Sequence, residues 1–130
     1  MHALVVDDSR AMRMILRRTL LKAGFEVTEA ADGQQALDAV EALAAAGTLP
    51  AVALVDWNMP VMDGLEFIKA VRRNRDWRSI SLMMVTTESE HANIVRALAA
   101  GAHEYVLKPF GEGVIEDKLA LLGLLEPAAS

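Results

Sequence analysis

Cysteine is absent from the 130 residues, and that absence removes a disulfide framework, a thiolate zinc site and a cysteine nucleophile together. A reducing compartment is the natural expectation. No apolar run is long enough to span a bilayer, and the start, Met1-His2-Ala3-Leu4-Val5-Val6-Asp7-Asp8, lacks the basic and long apolar regions of a secretion signal. A cytoplasmic, soluble protein is expected, without a membrane partner. Positive charge is also scarce, since 13 Lys and Arg face 18 Asp and Glu for a formal net charge of -5. That balance argues against broad affinity for nucleic acid or anionic lipid and leaves proteins and small ions as partners. The length suits one domain able to bury its own core.

What is present is an alternation of short apolar runs with segments of helical period. Ala3 to Val6 is continuously apolar and ends on Asp7-Asp8, as a parallel strand covered on both faces would. Ser9 is a candidate N-cap for a helix whose stripe is Met12, Ile15, Leu16, Leu20 and Ala23, stopped by Gly24. Phe25 to Ala30 alternates instead, the pattern of an edge strand with one face partly wet. Asp32 and Gln35 resemble a capping box opening an alanine-rich helix through about Ala46, closed by Gly47 and Pro50. Ala51 to Asp56 is the third strand. Asp63 and Glu66 repeat the capping pattern for a third helix, with Arg72 and Arg73 placed to suit the dipole of its last turn. Leu82 to Thr86 is a fourth strand, Ser89 to Ala100 a fourth helix stopped by Gly101, Tyr105 to Lys108 a fifth strand and Glu112 to Leu125 a leucine-rich last helix. Glu126 to Ser130 is expected to be a flexible tail after a domain spanning 1–125.

Strict alternation of this kind predicts an α/β fold, a doubly wound five-stranded parallel sheet with helices on both faces. Right-handed crossovers bring all strand ends of one sense to one rim. Asp7 and Asp8 follow the first strand, Asp56 the third, Thr86 the fourth and Lys108 the fifth. An edge-like second strand beside a buried first strand predicts the order 2-1-3-4-5, which groups the three acids where ligands bind in open α/β sheets. Three carboxylates in one crevice are relieved by protonation or by a cation. Oxygen donors alone favour a hard ion, and Mg2+ fits because it takes one or two carboxylates and keeps positions for phosphate oxygens. Lys108 and the Thr86 hydroxyl add a point charge and a donor, so phosphoryl transfer onto Asp56 as nucleophile is the expected chemistry.

These residues resemble the receiver domain of two-component response regulators, most closely the stand-alone chemotaxis type, a flavodoxin-like fold. The resemblance runs from about Leu4 to Leu122. It rests on Val6-Asp7-Asp8, Asp56-Trp57-Asn58-Met59-Pro60 with Met62-Asp63-Gly64, Met84-Val85-Thr86, and Tyr105-Val106-Leu107-Lys108-Pro109-Phe110. It implies Asp56 as phospho-acceptor, Asp8 and Asp56 as direct Mg2+ ligands with the Asn58 backbone carbonyl, and Asp7 as a ligand through water. Lys108 would contact the phosphoryl group, and the Lys108-Pro109 bond would be cis. Thr86 would move toward the phosphoryl oxygens while Tyr105 turns inward. Asn58 and Glu88 would tune dephosphorylation. A histidine kinase would be the phosphodonor, and the face of the fourth helix, fifth strand and fifth helix would engage a downstream protein, with the flagellar motor switch as the target such a match implies. Catalysis would be confined to self-catalysed phosphotransfer and autodephosphorylation.

Plainer readings stand beside these. A lone aspartate at a strand end is usually a turn former or N-cap, Thr86 could cap the next helix, Thr87 could be the hydroxyl instead, and Tyr105 could be ordinary packing. His2, His91 and His103 lack paired spacing for metal binding, and Met12, Met59, Met62, Met83 and Met84 read as packing. Arg10, Arg13 and Arg17 form a row on the first helix, ordinarily a solvated face, here a candidate docking row for the phosphodonor. The leucines Leu119, Leu121, Leu122, Leu124 and Leu125 exceed one buried stripe and point to a partner or dimer surface. The alternatives to a stand-alone switch are a phosphorelay intermediate, a receiver from a larger regulator, or a Mg2+-dependent aspartyl-phosphate phosphatase of the haloacid-dehalogenase kind. The last would need an acid two residues after the nucleophile, where this chain has Asn58.

Overall fold

A strand that is apolar at every position must be covered on both faces, because successive side chains point to opposite sides. The computed structural model describes residues 1–126, so of the expected tail only Glu126 falls inside the described residues. The elements are β1 His2–Val6, α1 Arg10–Lys22, β2 Glu26–Ala30, α2 Gly33–Ala45, β3 Val52–Val55, α3 Gly64–Arg73, β4 Ser81–Thr86, α4 His91–Ala100, β5 Glu104–Leu107 and α5 Val114–Leu121. All strand pairs are parallel and the order is β2-β1-β3-β4-β5. The expected architecture and order are both present.

Alternation divides the core in two. Leu4, Val6, Ala53, Val55, Leu82 and Met84 face α2, α3 and α4, where Val40, Phe67, Ile68, Val71 and Ala97 meet them. Ala3, Val5, Val52, Leu54, Met83 and Val85 face α1 and α5, against Leu16, Leu20, Ile115 and Leu119. Register carries this order to the rim. Val6 is level with Val55, and the Asp56 amide donates to the Val6 carbonyl at 2.9 Å. Asp7 and Asp56 therefore leave neighbouring strands side by side. Likewise Thr86 is level with Leu107, which puts Lys108 next to it.

Helix ends follow local chemistry, with corrections. Ser9 accepts from the Met12 amide at 3.2 Å, and Asp63 and Glu66 form the reciprocal box. Asp32 caps α2 through the Gln35 amide at 2.8 Å, but the Gln35 side chain returns to the Ala31 amide, one residue short of a closed box. Ile15, expected in the buried stripe of α1, is 47% exposed, because Leu16 and Leu20 take the sheet-facing positions. The fourth helix starts at His91, two residues after Ser89, since the Glu88 carboxylate accepts from the Glu90 amide and holds a turn there. The last helix is shorter than Glu112 to Leu125. Gly113 has a φ of 82° before it and Gly123 a φ of 76° after it. At Gly123 the left-handed residue turns the chain back, with Gly123 donating to Ala120 and Leu124 to Leu119. Leu122, Leu124 and Leu125 then pack on the core beside Leu119, and Leu121 alone among these leucines is largely exposed. Most of the leucine excess is thus core closure. A 3-10 turn at Arg75–Trp77, unforeseen in the sequence, buries Trp77 in the core on the α2, α3 and α4 side.

Arg72 does more than face a helix dipole. Its Nε and Nη2 donate to the Gly101 carbonyl at 3.1 and 3.0 Å, and its Nη1 to the Arg78 carbonyl at 3.3 Å. One guanidinium thus ties the end of α3 to the loops before β4 and β5. Arg72→Ala is expected to cost roughly 1–3 kcal/mol by stripping those carbonyls of donors, while exposed Arg73→Ala stays within about 0.5 kcal/mol. Urea unfolding midpoints of the two variants check the contrast.

Candidate functional site

The rim at the carboxyl ends of the strands gathers charge that the apolar strands cannot carry. Asp7 and Asp56 are 1% and 9% exposed, Thr86 is fully buried, and Asp8 beside them is open to solvent. Each of the three acids brings a carboxylate oxygen to within 4.8 Å of the others. Lys108 answers the two buried ones, with Nζ 2.7 Å from Asp7 Oδ2 and 3.4 Å from Asp56 Oδ2. The remaining oxygens meet main-chain donors: the Ser9 amide reaches Asp7 Oδ1 and the Trp57 amide reaches Asp56 Oδ1, both at 2.8 Å. This oxygen-only donor set, with one exposed acid and two buried ones, matches what a hard divalent cation requires. The Lys108-Pro109 bond is cis.

The loop after β3 is folded tightly over the phospho-acceptor candidate. The Gly64 amide donates to the Trp57 carbonyl at 2.8 Å. A Cβ at Gly64 would overlap the Asp56 carbonyl oxygen and stand 2.9 Å from its carbon, so this backbone crossing admits only glycine. Val61, 82% exposed, has a φ of 69°, a strained conformation for a β-branched residue. Asn58 lies exposed in the same loop.

Between β4 and α4 the geometry separates the two threonines. Thr86 is buried with its Oγ1 accepting from the Glu88 amide at 3.3 Å, whereas Thr87 is exposed. The Tyr105 hydroxyl donates to the Glu88 carbonyl at 2.7 Å. Partial burial, then the Glu88 and Asp56 carboxylates, push its phenol up to about 12. The Glu88 carboxylate is directed at α4, where Oε1 accepts from the Glu90 amide and from Asn93 Nδ2, each at 3.2 Å. Asn93 Oδ1 in turn accepts from Arg96 at 3.0 Å, and the Arg96 guanidinium lies 5.9 Å from the centre of the Trp57 ring. The contact of Arg96 on Trp57 ties α4 to the residue after Asp56. It had no sequence signal, because the two positions are brought together only by packing of α3 and α4.

The row on α1 is only partly a free surface. Arg13 and Arg17 both pair with Glu29 of β2, and Arg13 Nη1 donates to the Asp7 carbonyl at 2.7 Å. Arg10 remains exposed.

Residues 3–120 match the model of the response regulator receiver domain. The chain belongs to the response regulator receiver family. Among curated relatives, the Helicobacter pylori chemotaxis protein CheY1 is 41% identical over 94% of this chain and 96% of its own. A Campylobacter jejuni chemotaxis protein CheY homolog is 42% identical over 92% of this chain and 89% of its own. Among solved structures, the Vibrio cholerae chemotaxis protein CheY4 superposes with a TM-score of 0.82 at 36% identity, covering 92% of this chain and 96% of that one. As a receiver, the chain is a signalling switch, and its acid cluster sits at the carboxyl rim of the sheet. No helix among the described residues is long and apolar enough to cross a membrane.

Two expectations follow for this receiver. Gly64→Ala should cost about 1–3 kcal/mol as an overpacked backbone contact and disturb the Asp56-Trp57 peptide, seen as a lowered urea midpoint with altered tryptophan emission. Tyr105 is the single tyrosine, so phenolate absorbance titrates one group. The folded state holds its proton more tightly than the unfolded one, so the associated stability is complete below the unfolded value near 10.0 and is lost as pH rises toward about 12. Native phenolate absorbance should accordingly appear near pH 12 and shift down to about 10 in urea.

Proposed function

We propose that this receiver is a phosphorylation-switched module of a two-component system. It takes a phosphoryl group from a histidine kinase onto Asp56 and changes its affinity for a protein partner. The observation that carries the reading is the clustering of Asp7, Asp8 and Asp56, with the Lys108 ammonium on Asp7 and Asp56. An Asp56 carboxylate oxygen attacks phosphorus, the bond from phosphorus to the kinase imidazole breaks, and the imidazole keeps the electron pair and is protonated as it leaves. Lys108, already 3.4 Å from Asp56 Oδ2, offsets charge on the transferred group. Asp8, Asp56 and the Asn58 carbonyl would hold Mg2+ directly and Asp7 through water. When bound, the ion neutralises phosphoryl oxygens. Asn58 and Glu88 are the residues assigned to tuning hydrolysis of the acyl phosphate, Glu88 doing so only if its carboxylate leaves the Glu90 and Asn93 contacts.

The switch consists of Thr86 turning its hydroxyl from the Glu88 amide toward the new acceptor oxygens, with Tyr105 following the Glu88 carbonyl it already binds. Chemotaxis is the favoured pathway, because the curated relatives are chemotaxis proteins. The flagellar motor switch is accordingly the favoured target, through Val95 and Leu98 of α4, Leu107 of β5 and Leu121 of α5, all exposed. A cytoplasmic location accords with these partners.

Incubation with acetyl phosphate and Mg2+ should label the chain stoichiometrically. Asp56→Asn or a chelator should abolish the label, and Lys108→Ala should slow its appearance. Labelling retained in Asp56→Asn, or steady turnover of varied phosphomonoesters, would overturn the reading.

A further inference from the structure

The Asp7 carbonyl lies where β1 leaves the sheet. The Asp7 amide still donates to the Ala30 carbonyl of β2 at 3.1 Å, and the chain then bends so that the Ser9 amide caps Asp7 Oδ1. Orientation of the peptide between Asp7 and Asp8 is decided at this bend, and with it the direction of the Asp8 carboxylate. Asp8 is exposed, and no side-chain hydrogen bond of its own holds it among the described residues. What does hold the peptide is Arg13, one turn into α1, whose Nη1 donates to the Asp7 carbonyl at 2.7 Å. Its Nε is kept in place by Glu29 Oε1 at 3.2 Å, and the side chain is only 17% exposed. Arg17 shares Glu29 at 3.3 Å but is 44% exposed and does not touch Asp7.

We propose that Arg13 is a positioning residue for the Mg2+ site, setting the direction of Asp8 through the Asp7 main-chain carbonyl with Glu29 as its anchor. This rests on reading Asp7, Asp8 and Asp56 as the metal site. The planar guanidinium suits the task, since its fork reaches a carbonyl and a carboxylate at once, which an ammonium does with less geometric definition. Partners behind metal ligands are commonly as important as the ligands' own chemistry, because they fix the ligands' directions.

The sign of the effect separates this from plain electrostatics. Loss of a positive charge near a cation site, with Glu29 left to Arg17 alone, by itself tightens Mg2+ binding. Loss of orientation weakens it. Mg2+ is titrated into the wild-type chain and the Arg13→Ala, Arg13→Lys, Arg17→Ala and Asp8→Asn variants, following tryptophan emission, with Trp57 adjacent to Asp56. Thermal midpoints confirm that each variant is folded at the titration temperature. Arg13→Ala should weaken Mg2+ binding about tenfold or more, Arg13→Lys by a smaller factor, and Arg17→Ala not at all, although it also breaks an ion pair to Glu29. Should Arg13→Ala not fold, Arg13→Lys decides. Equal or tighter binding in Arg13→Ala, wild-type affinity in Arg13→Lys, or an equal loss in Arg17→Ala overturns the proposal. A wild-type chain that gives no Mg2+ response, or a response that survives Asp8→Asn, overturns the metal-site reading itself and the proposal with it.

Discussion

Two buried carboxylates at the ends of adjacent strands are held side by side by one ammonium, Lys108, that reaches both. Removing a charge from water costs several kcal/mol unless it is paired and hydrogen-bonded, and Asp7 and Asp56 are almost wholly shielded. Lys108 follows the far edge strand, so its long side chain must cross the ends of β4 and β3 to reach Asp7 beyond them. The site therefore depends on the sheet holding its register, and the register on the core of both faces. A slip of one residue between β1 and β3 would separate Asp7 from Asp56 and exchange every side chain of the slipped strand between the two core faces.

The same rim is built unevenly, and the unevenness has a physical basis. On the β1 side, Asp7 is held through its amide, its carbonyl and both carboxylate oxygens. On the β4 side, the start of α4 has no side-chain cap on its first turn and relies on the turn around Glu88. Thr86 and Tyr105 both bind Glu88 main-chain atoms, one at the amide and one at the carbonyl. A rearrangement of that single peptide segment alters both side chains and the entry to α4. In the proposed switch, the acceptor site is thus joined to a segment whose hydrogen bonds converge on the one residue Glu88, so that a single rearrangement shifts the population of the whole segment.

Much of this was legible in order along the chain. The doubly apolar strands, the capping pairs and the helix-ending glycines at Gly24, Gly47 and Gly101 are local signals, and the elements stand where those signals lie, within a residue or two. Misreadings arose where a distant partner overrode a local pattern. Ile15 fits the apolar stripe by spacing, yet Leu16 and Leu20 take the sheet-facing positions and leave it outside. The leucines after Leu119 read as one long helix until Gly123 turns them back onto the core. Arg72 and Arg13 look like ordinary surface cations, because nothing in their neighbourhood along the chain announces the Gly101 or Asp7 carbonyl.

The amino-acid sequence by itself determined the alternation of strands and helices, the sheet order and the residues that end each strand, because these follow from periodicity, turn chemistry and handedness acting over a few residues. Only the tertiary structure decided which of those polar groups share a bond. Lys108 meets Asp7 across 101 positions of chain, Arg96 covers Trp57, and Arg13 rather than Arg17 grips the Asp7 carbonyl. Such contacts depend on side-chain direction and packing angle to within about an ångström, and no pattern in one dimension carries that information.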